Sequence, residues 1–314
     1  MAKQSNTKKS SPESESKSRY ALLAGWITVS IVLVLVAVKT YAWVESGSAS
    51  VLASLVDSLM DAGVSTMNLL VIRFSIKPAD ELHRYGHGKA EGIAALFQAA
   101  FITGIAVFLL LESIGNLLRP VEIDSYSLAI GVMIFSMVMS IVMVTVQKAC
   151  MKYASSLAVE ADSAHYTSDI MVNAGAIVTL FALQAGAPAW IDPVFAVAVV
   201  IYLGLTVRHV AGKGLAMLMD QELPQEVRER IKQIIMSHEE TRGLHDLRTR
   251  QIGMRWHISF DVEMNPEKPL KQAHASAREI ELKLMEEFPQ AEIMIHMDPQ
   301  GDVADSRHPD KPLR

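Results

Sequence analysis

Between Tyr20 and Ala211 the chain alternates long apolar runs with short polar joints, and after Lys213 the pattern changes to the shorter periods of a water-soluble fold. Six apolar runs stand out, roughly 20–44, 50–75, 92–118, 127–149, 161–186 and 192–211. Each is near the ~20 residues that an α-helix needs to cross the hydrocarbon of a bilayer. The first run is too long for a cleavable leader and no small-residue cleavage pattern follows it, so it reads as a retained span. Ahead of it, residues 1–18 are Ser, Lys and Glu with almost nothing apolar. Such a segment cannot offset its ordering entropy and is expected to be disordered.

Residues 223–238 have the spacing of an amphipathic helix, with Pro224, Val227, Ile231, Ile234 and Ile235. Leu247–Ile252 and Trp256–Met264 read as strands. In the second, His257, Ser259, Asp261 and Glu263 alternate with Ile258, Phe260 and Val262. Leu270–Phe288 reads as a second helix and Ala291–Met297 as a third strand. The order αββαβ describes a small open-faced α+β domain. The expected architecture is a six-helix, all-α membrane bundle over 19–212, a C-terminal cytoplasmic α+β domain over 213–300 and a flexible tail over 301–314.

Composition agrees with this division. Half of the 314 residues are hydrophobic, and the mean hydropathy of +0.24 is high for a soluble protein. A net charge of −5 with no basic stripe argues against a nucleic-acid partner. Cys150 is the single cysteine, which excludes a disulfide within the chain and a cysteine-based zinc site. Lys3, Lys8, Lys9, Lys17 and Arg19 precede the first span; Arg73, Lys77, Arg84 and Lys89 follow the second; Lys148 and Lys152 follow the fourth; Arg208 and Lys213 flank the last. The opposite loops hold Arg119 and little else basic. The excess of basic residues on one side places both termini in the cytoplasm, with Trp43 and Trp190 near the outer boundary.

Charges inside spans are costly and mark cavities or partners. Asp57 and Asp61 lie four residues apart on the second span, and His165 and Asp169 have the same spacing on the fifth. Each pair stacks on one helix face about a turn apart. Two carboxylates in a low dielectric repel unless a cation or protons lie between them. Four N/O ligands in a tetrahedron suit Zn²⁺. Lys39, near the end of the first span, is expected to snorkel to the interface; Glu112 receives no role, and the scattered methionines read as core filling. In the joint after the second span, Asp80, His83 and His87 are spaced as a metal site and equally as a solvated loop. His245, His257, His274, His296 and Asp298 populate the cytoplasmic domain, where a single histidine is ordinarily a surface residue.

Asp57-x-x-x-Asp61 with His165-x-x-x-Asp169 on the second and fifth of six spans resembles the signature of the cation diffusion facilitator family. The resemblance covers nearly the whole chain after residue 20. Gly47-Ser48-Ala49-Ser50, Tyr85-Gly86-His87-Gly88-Lys89-Ala90-Glu91 and His245-Asp246-Leu247-Arg248-Thr249-Arg250 are similar to a bacterial zinc-transporting branch of it. The resemblance implies a homodimer in the bacterial inner membrane that exchanges cytoplasmic divalent metal for external protons, with a metallochaperone-like cytoplasmic domain. It implies that Asp80, His83 and His87 bind zinc in the loop. It also implies that His245, His274, His296 and Asp298 belong to a paired-metal cytoplasmic site. That branch has a histidine where this chain has Asp261, a harder oxygen ligand that would favour Fe²⁺ or Mn²⁺. Lys89 and Asp220 match a charge pair that ties the two domains together at the dimer; an exposed pair contributes ~0–1 kcal/mol.

The expected function is proton-coupled export of Zn²⁺, or of Cd²⁺ or Fe²⁺, by alternating access. The expected partners are metal ions, protons, the lipid bilayer and a second copy, with Zn²⁺ also structural or regulatory and no organic cofactor. A metallohydrolase would need an open coordination position and a general base, and no H-E-x-x-H motif is present. A passive channel would favour weaker oxygen rings. A membrane-anchored metal sensor is the remaining alternative.

Overall fold

The computed structural model describes residues 12–47, 49–118, 126–186, 188 and 190–301. Six long helices come first: α1 (Pro12–Ser46), α2 (Ala49–Ser75), α3 (Ala90–Leu118), α4 (Tyr126–Met151), α5 (Leu157–Gln184) and α6 (Ile191–Leu218). The helix α1 starts at Pro12, so residues 12–18 extend it rather than forming part of a disordered tail. Proline suits the first turn of a helix, where its missing N–H has no partner to lose. The basic residues Lys3, Lys8, Lys9 and Arg119, and the tail expected beyond residue 301, lie outside the described residues. So does the side chain of Glu112.

Among the described residues, five helices contain segments long and apolar enough to cross a membrane: Ser16–Glu45, Ser54–Ser75, Ala90–Gly115, Met133–Met151 and Val194–Leu218. They belong to α1, α2, α3, α4 and α6. The remaining helix, α5, has the length but carries Asp162, Ser163, His165, Thr167, Ser168 and Asp169 in its first half and Asn173 just beyond it. Its packing explains the difference. It lies against α2, α3 and α4, and Asp162, Ser163, His165 and Ser168 are buried among them. A helix whose polar face meets other helices need not be apolar all round.

Apolar contacts hold the helices in place around it. Val32 and Leu35 of α1 meet Met143 and Val144 of α4 and Tyr166 of α5. Ile102 and Ala106 of α3 pack on Leu203 of α6. Gly214 permits a close approach there, since a Cβ would fall 2.9 Å from the Gly92 carbonyl oxygen.

The second unit, from Ala216, has helix α7 (Gln225–Met236), strands β1 (Gly243–Ile252) and β2 (Arg255–Met264), helix α8 (Leu270–Glu287) and strand β3 (Ala291–Pro299). The expected αββαβ order is present, with β1 beginning four residues earlier than the apolar pattern suggested. β2 is the central strand, antiparallel to β1 and parallel to β3. Ile258, Phe260, Val262 and Met264 point from β2 into a core with Ile231, Ile234 and Ile235 of α7 and Ala277, Ile280 and Leu284 of α8. Both helices therefore cover one face of the sheet. The alternate residues His257, Ser259, Asp261 and Glu263 lie on the other.

Candidate metal centre

The helices α2 and α5 bring three of the four intramembrane candidates together. His165 is fully buried, and its Nε2 lies 3.0 Å from Asp61 Oδ1 and 3.5 Å from Asp169 Oδ2. One ligand atom from each residue falls within 4.8 Å of the others. Phe101 and Tyr166 set their rings edge-on to the imidazole, at 5.4 and 5.0 Å between centroids, and fix its plane. Two carboxylate oxygens thus converge on one ring nitrogen. A neutral imidazole offers either a lone pair there, which both oxygens repel, or a single proton for two acceptors. The arrangement is satisfied by positive charge, as an imidazolium or as a cation seated between the three ligands. Asp57 stands one turn earlier on α2, exposed, and does not join the cluster in this conformation.

A buried polar network lies beside the cluster, which the sequence pattern did not single out. Asp162, one turn before His165, accepts Gln147 Nε2 at 2.7 Å and Gln98 Nε2 at 3.1 Å. Ser65 Oγ and Tyr166 Oη are 2.6 Å apart next to it. The one available signal was spacing, since position 162 precedes 165 and 169 on the same stripe of α5. Lys39 departs from its expected place. It is 3 % exposed, with Nζ donating to Ser58 Oγ at 2.7 Å and to the Ser54 carbonyl at 3.1 Å. Its side chain turns inward to α2 instead of reaching an interface, because two oxygen acceptors lie within its reach there.

The joint between α2 and α3 forms a second cluster, Asp80, His83 and His87. His83 Nδ1 is 3.3 Å from Asp80 Oδ1, and His87 Nε2 is 3.2 Å from Asp80 Oδ2. The backbone folds around the same carboxylate, which accepts the N–H of His83 at 2.6 Å and of Leu82 at 2.9 Å. Gly86 makes the return with φ +79°, a conformation that a side chain would strain. The His83 N–H contact, followed by that from Leu82, holds the Asp80 carboxyl below the usual carboxylate range. Its ionised form thus favours the folded loop fully above the unfolded pKa, and that contribution fades only as pH falls through the lowered folded value. The histidines must be unprotonated to ligate. Zinc binding by this loop, measured on the full chain as wild type minus His83→Ala, is expected to be a distinct fraction of the total, because alanine removes one of the three donors. Equal zinc binding by the wild type and His83→Ala would contradict this assignment.

On the open face of the β-sheet, His245 of β1 is the register partner of Asp261 of β2, which in turn pairs with His296 of β3. Glu263 and Asp298 form the next row. His245 Nε2 contacts Glu263 Oε1, and His296 Nε2 lies 3.1 Å from Asp298 Oδ1. Burial raises the Asp261 carboxyl above its ordinary range, with His296 opposing the shift. Burial likewise lowers His257, which lies four residues before Asp261 on the same face. Glu263 is a further acidic neighbour, and strand alternation alone marked it no more strongly than Ser259. His274 is exposed on α8, whose buried side packs on the opposite face of the sheet, so one chain does not bring it to the row. Lys89 precedes α3 in the helical unit. Asp220 follows α6 in the other, with φ 54° and Arg250 Nη1 3.3 Å from its carboxylate.

Comparison with known proteins matches residues 25–219 to the cation efflux transmembrane domain and residues 223–300 to the cation efflux protein cytoplasmic domain. The cation-efflux pump FieF of Salmonella arizonae is 41% identical over 284 residues, covering 90% of this chain and 92% of that protein. The pump of the same name from Salmonella schwarzengrund is 40% identical over the same length and shares. That of Salmonella choleraesuis is 42% identical over 267 residues, 84% of this chain and 88% of its own.

Proposed function

We propose that this chain, which belongs to the cation efflux family and is a multi-pass membrane transporter rather than an enzyme, exports divalent transition-metal ions from the cytoplasm, Zn²⁺ foremost, in exchange for protons. The observation that carries this reading is the pair of carboxylate oxygens, from Asp61 and Asp169, aimed at the single buried Nε2 of His165. Nitrogen and oxygen donors at this spacing suit Zn²⁺ and tolerate Cd²⁺ and Fe²⁺. Asp57, one turn along the same helix, supplies a fourth ligand when its side chain swings into the cluster.

Protons and metal compete for the same atoms. Ligands must be deprotonated to hold the ion, so protonation of His165 and of one carboxylate expels it. The carboxylates adjoin one another, and like charges favour the uptake of a proton when the metal has left. Rocking of the helices presents the site to each side in turn, with the termini in the cytoplasm and a second copy of the chain completing the transporter. The loop residues Asp80, His83 and His87 offer three donors that fit a resident Zn²⁺. His245, Asp261, His296 and Asp298 offer a mixed nitrogen and oxygen set that fits Zn²⁺ or a harder ion, with His274 available to a partner chain.

The test is metal uptake into proteoliposomes holding a trapped zinc-sensitive dye, with and without an imposed pH gradient. Uptake is expected to accelerate when the lumen is acidic, because protons then flow out against the entering metal. Flux indifferent to the gradient would rule out exchange and leave a uniporter or channel. Equal flux from the Asp61→Ala chain would remove the site assignment.

A further inference from the structure

The first helix contributes a charge to the neighbourhood of the metal cluster. Lys39 is buried in α1, and both of its oxygen acceptors, Ser58 Oγ and the Ser54 carbonyl, belong to α2. These serines alternate with the acids: Ser54, Asp57, Ser58 and Asp61 follow at helical spacing, so the ammonium rests on the helix surface that carries both carboxylates. Three acidic groups act on it through their charge, Asp57, Asp61 and Asp169, and these are three of the four proposed ligands. An ammonium has three N–H donors, and the two serine contacts use two of them.

Asp57 shows the complementary behaviour. It lies outside the cluster formed by Asp61, His165 and Asp169. Its charged neighbours are Asp61, Lys39 and His165. Both Lys39 and His165 therefore act on Asp57 through their charge, and Lys39 rests on Ser54 and Ser58 of the same helix face. A lysine buried within a span ordinarily serves a partner or a pathway, since leaving it unserved is costly.

We propose that Lys39 is a tethered counter-cation of the transport site, competing with the divalent ion for Asp57 and so setting the site's metal affinity. When the site is empty, the third N–H of the ammonium turns to Asp57 and neutralises it, so the metal-free protein crosses back with one fewer carboxylate awaiting a proton. When the ion arrives, its double charge draws Asp57 away, and the lysine stays on its serine oxygens as a fixed positive charge beside the bound metal. That charge repels the ion and keeps binding weak enough for release. No covalent step is involved; the exchange is of one cation for another at a carboxylate. The inference rests on the transport-site reading of Asp57, Asp61, His165 and Asp169.

Equilibrium binding of radioactive zinc to the full chain in detergent separates the two ideas. The part of the binding lost in Asp61→Ala defines the transport site. Lys39→Gln and Lys39→Met remove the charge, and at least one is expected to bind zinc about tenfold more tightly at that site, as loss of a nearby like charge predicts. Maximal flux is expected to fall in the same chain while KM falls with it. Lys39→Arg keeps the charge and is expected to restore wild-type affinity. A damaged fold weakens binding, so a gain in affinity reports on the charge alone. Wild-type protein with Asp61-dependent binding, but with both neutral variants unchanged or weaker, would overturn the role of Lys39 and leave the transport site standing. Absence of Asp61-dependent binding in the wild type would overturn the transport site itself.

Discussion

Replacing His165 by alanine is expected to lower zinc flux in proteoliposomes by about two orders of magnitude or more while leaving the chain folded. Partners one shell removed from a metal cost 10–100-fold when lost, so removal of a ligand itself falls at or beyond the upper end of that range. The geometry adds a second reason. The imidazole is the only nitrogen donor of the cluster among the described residues, and both carboxylates point at its Nε2. Without the ring, Asp61 and Asp169 lose the nitrogen on which both converge, and an ion there is left with oxygen ligands alone. Asp169→Asn is expected to cost less than His165→Ala, because an amide oxygen remains in place. Transport by His165→Ala within twofold of the wild type would exclude this cluster as the ion's path.

How much of this was legible in the residues differs by element. The helices α1, α2, α3, α4 and α6 announce themselves by apolar length, since lipid on their outer faces demands it. The helix α5 is weaker on that measure, with Asp162, His165 and Asp169 in its first half, yet spacing still marks it. The chemistry that lowers its hydropathy is the same chemistry that makes it a candidate, because its polar face meets α2, α3 and α4. In the second unit the alternation of β2 gave both the sheet's buried face and its open face correctly. The i, i+4 pairs anticipated that Asp61, His165 and Asp169 lie close together, because helix periodicity fixes which side chains share a face.

The side chains that answer to tertiary neighbours were hidden. Spacing put Asp57 on a face with Asp61, but not in the rotamer that joins the cluster. Lys39 near a helix end looks like any snorkelling lysine until two oxygens of α2 appear within 3.1 Å of it. Asp162 depends on Gln98 from α3 and Gln147 from α4, contacts separated by 64 and 15 residues along the chain. A period read within one helix cannot supply them. His274 is a case of the opposite kind: resemblance groups it with residues that α8 holds away from within a single chain, since the helix packs on the other face of the sheet.

Glu91→Ala is expected to lower the thermal midpoint of the detergent-solubilised protein by about 6 °C or more, and to reduce transport with it. Glu91 opens α3 and is fully buried. Its Oε2 accepts the Leu157 N–H at 2.7 Å, the Ala158 N–H at 3.5 Å and Ser156 Oγ at 3.0 Å, while Oε1 accepts Ser75 Oγ at 3.1 Å. The first N–H groups of a helix have no partners within it. Here they belong to α5, and a carboxylate from a different helix serves them, favoured also by the positive end of the helix dipole. Alanine leaves those donors buried and unpaired, at ~1–3 kcal/mol for each one stranded. A loss of about 3 kcal/mol corresponds to roughly 6–12 °C for a domain of this size. Glu91→Gln retains an acceptor oxygen but loses the charge, so its midpoint should fall between the other two. The effect reaches function because α5 carries His165 and Asp169, two and three turns beyond the capped end, and their placement against Asp61 depends on how α5 is seated. Size-exclusion measurement of the folded fraction after heating distinguishes the cases. A midpoint for Glu91→Ala within a degree of the wild type would mean that water or a shifted backbone satisfies the α5 terminus, and that the positioning of the metal cluster is set by the helix contacts alone.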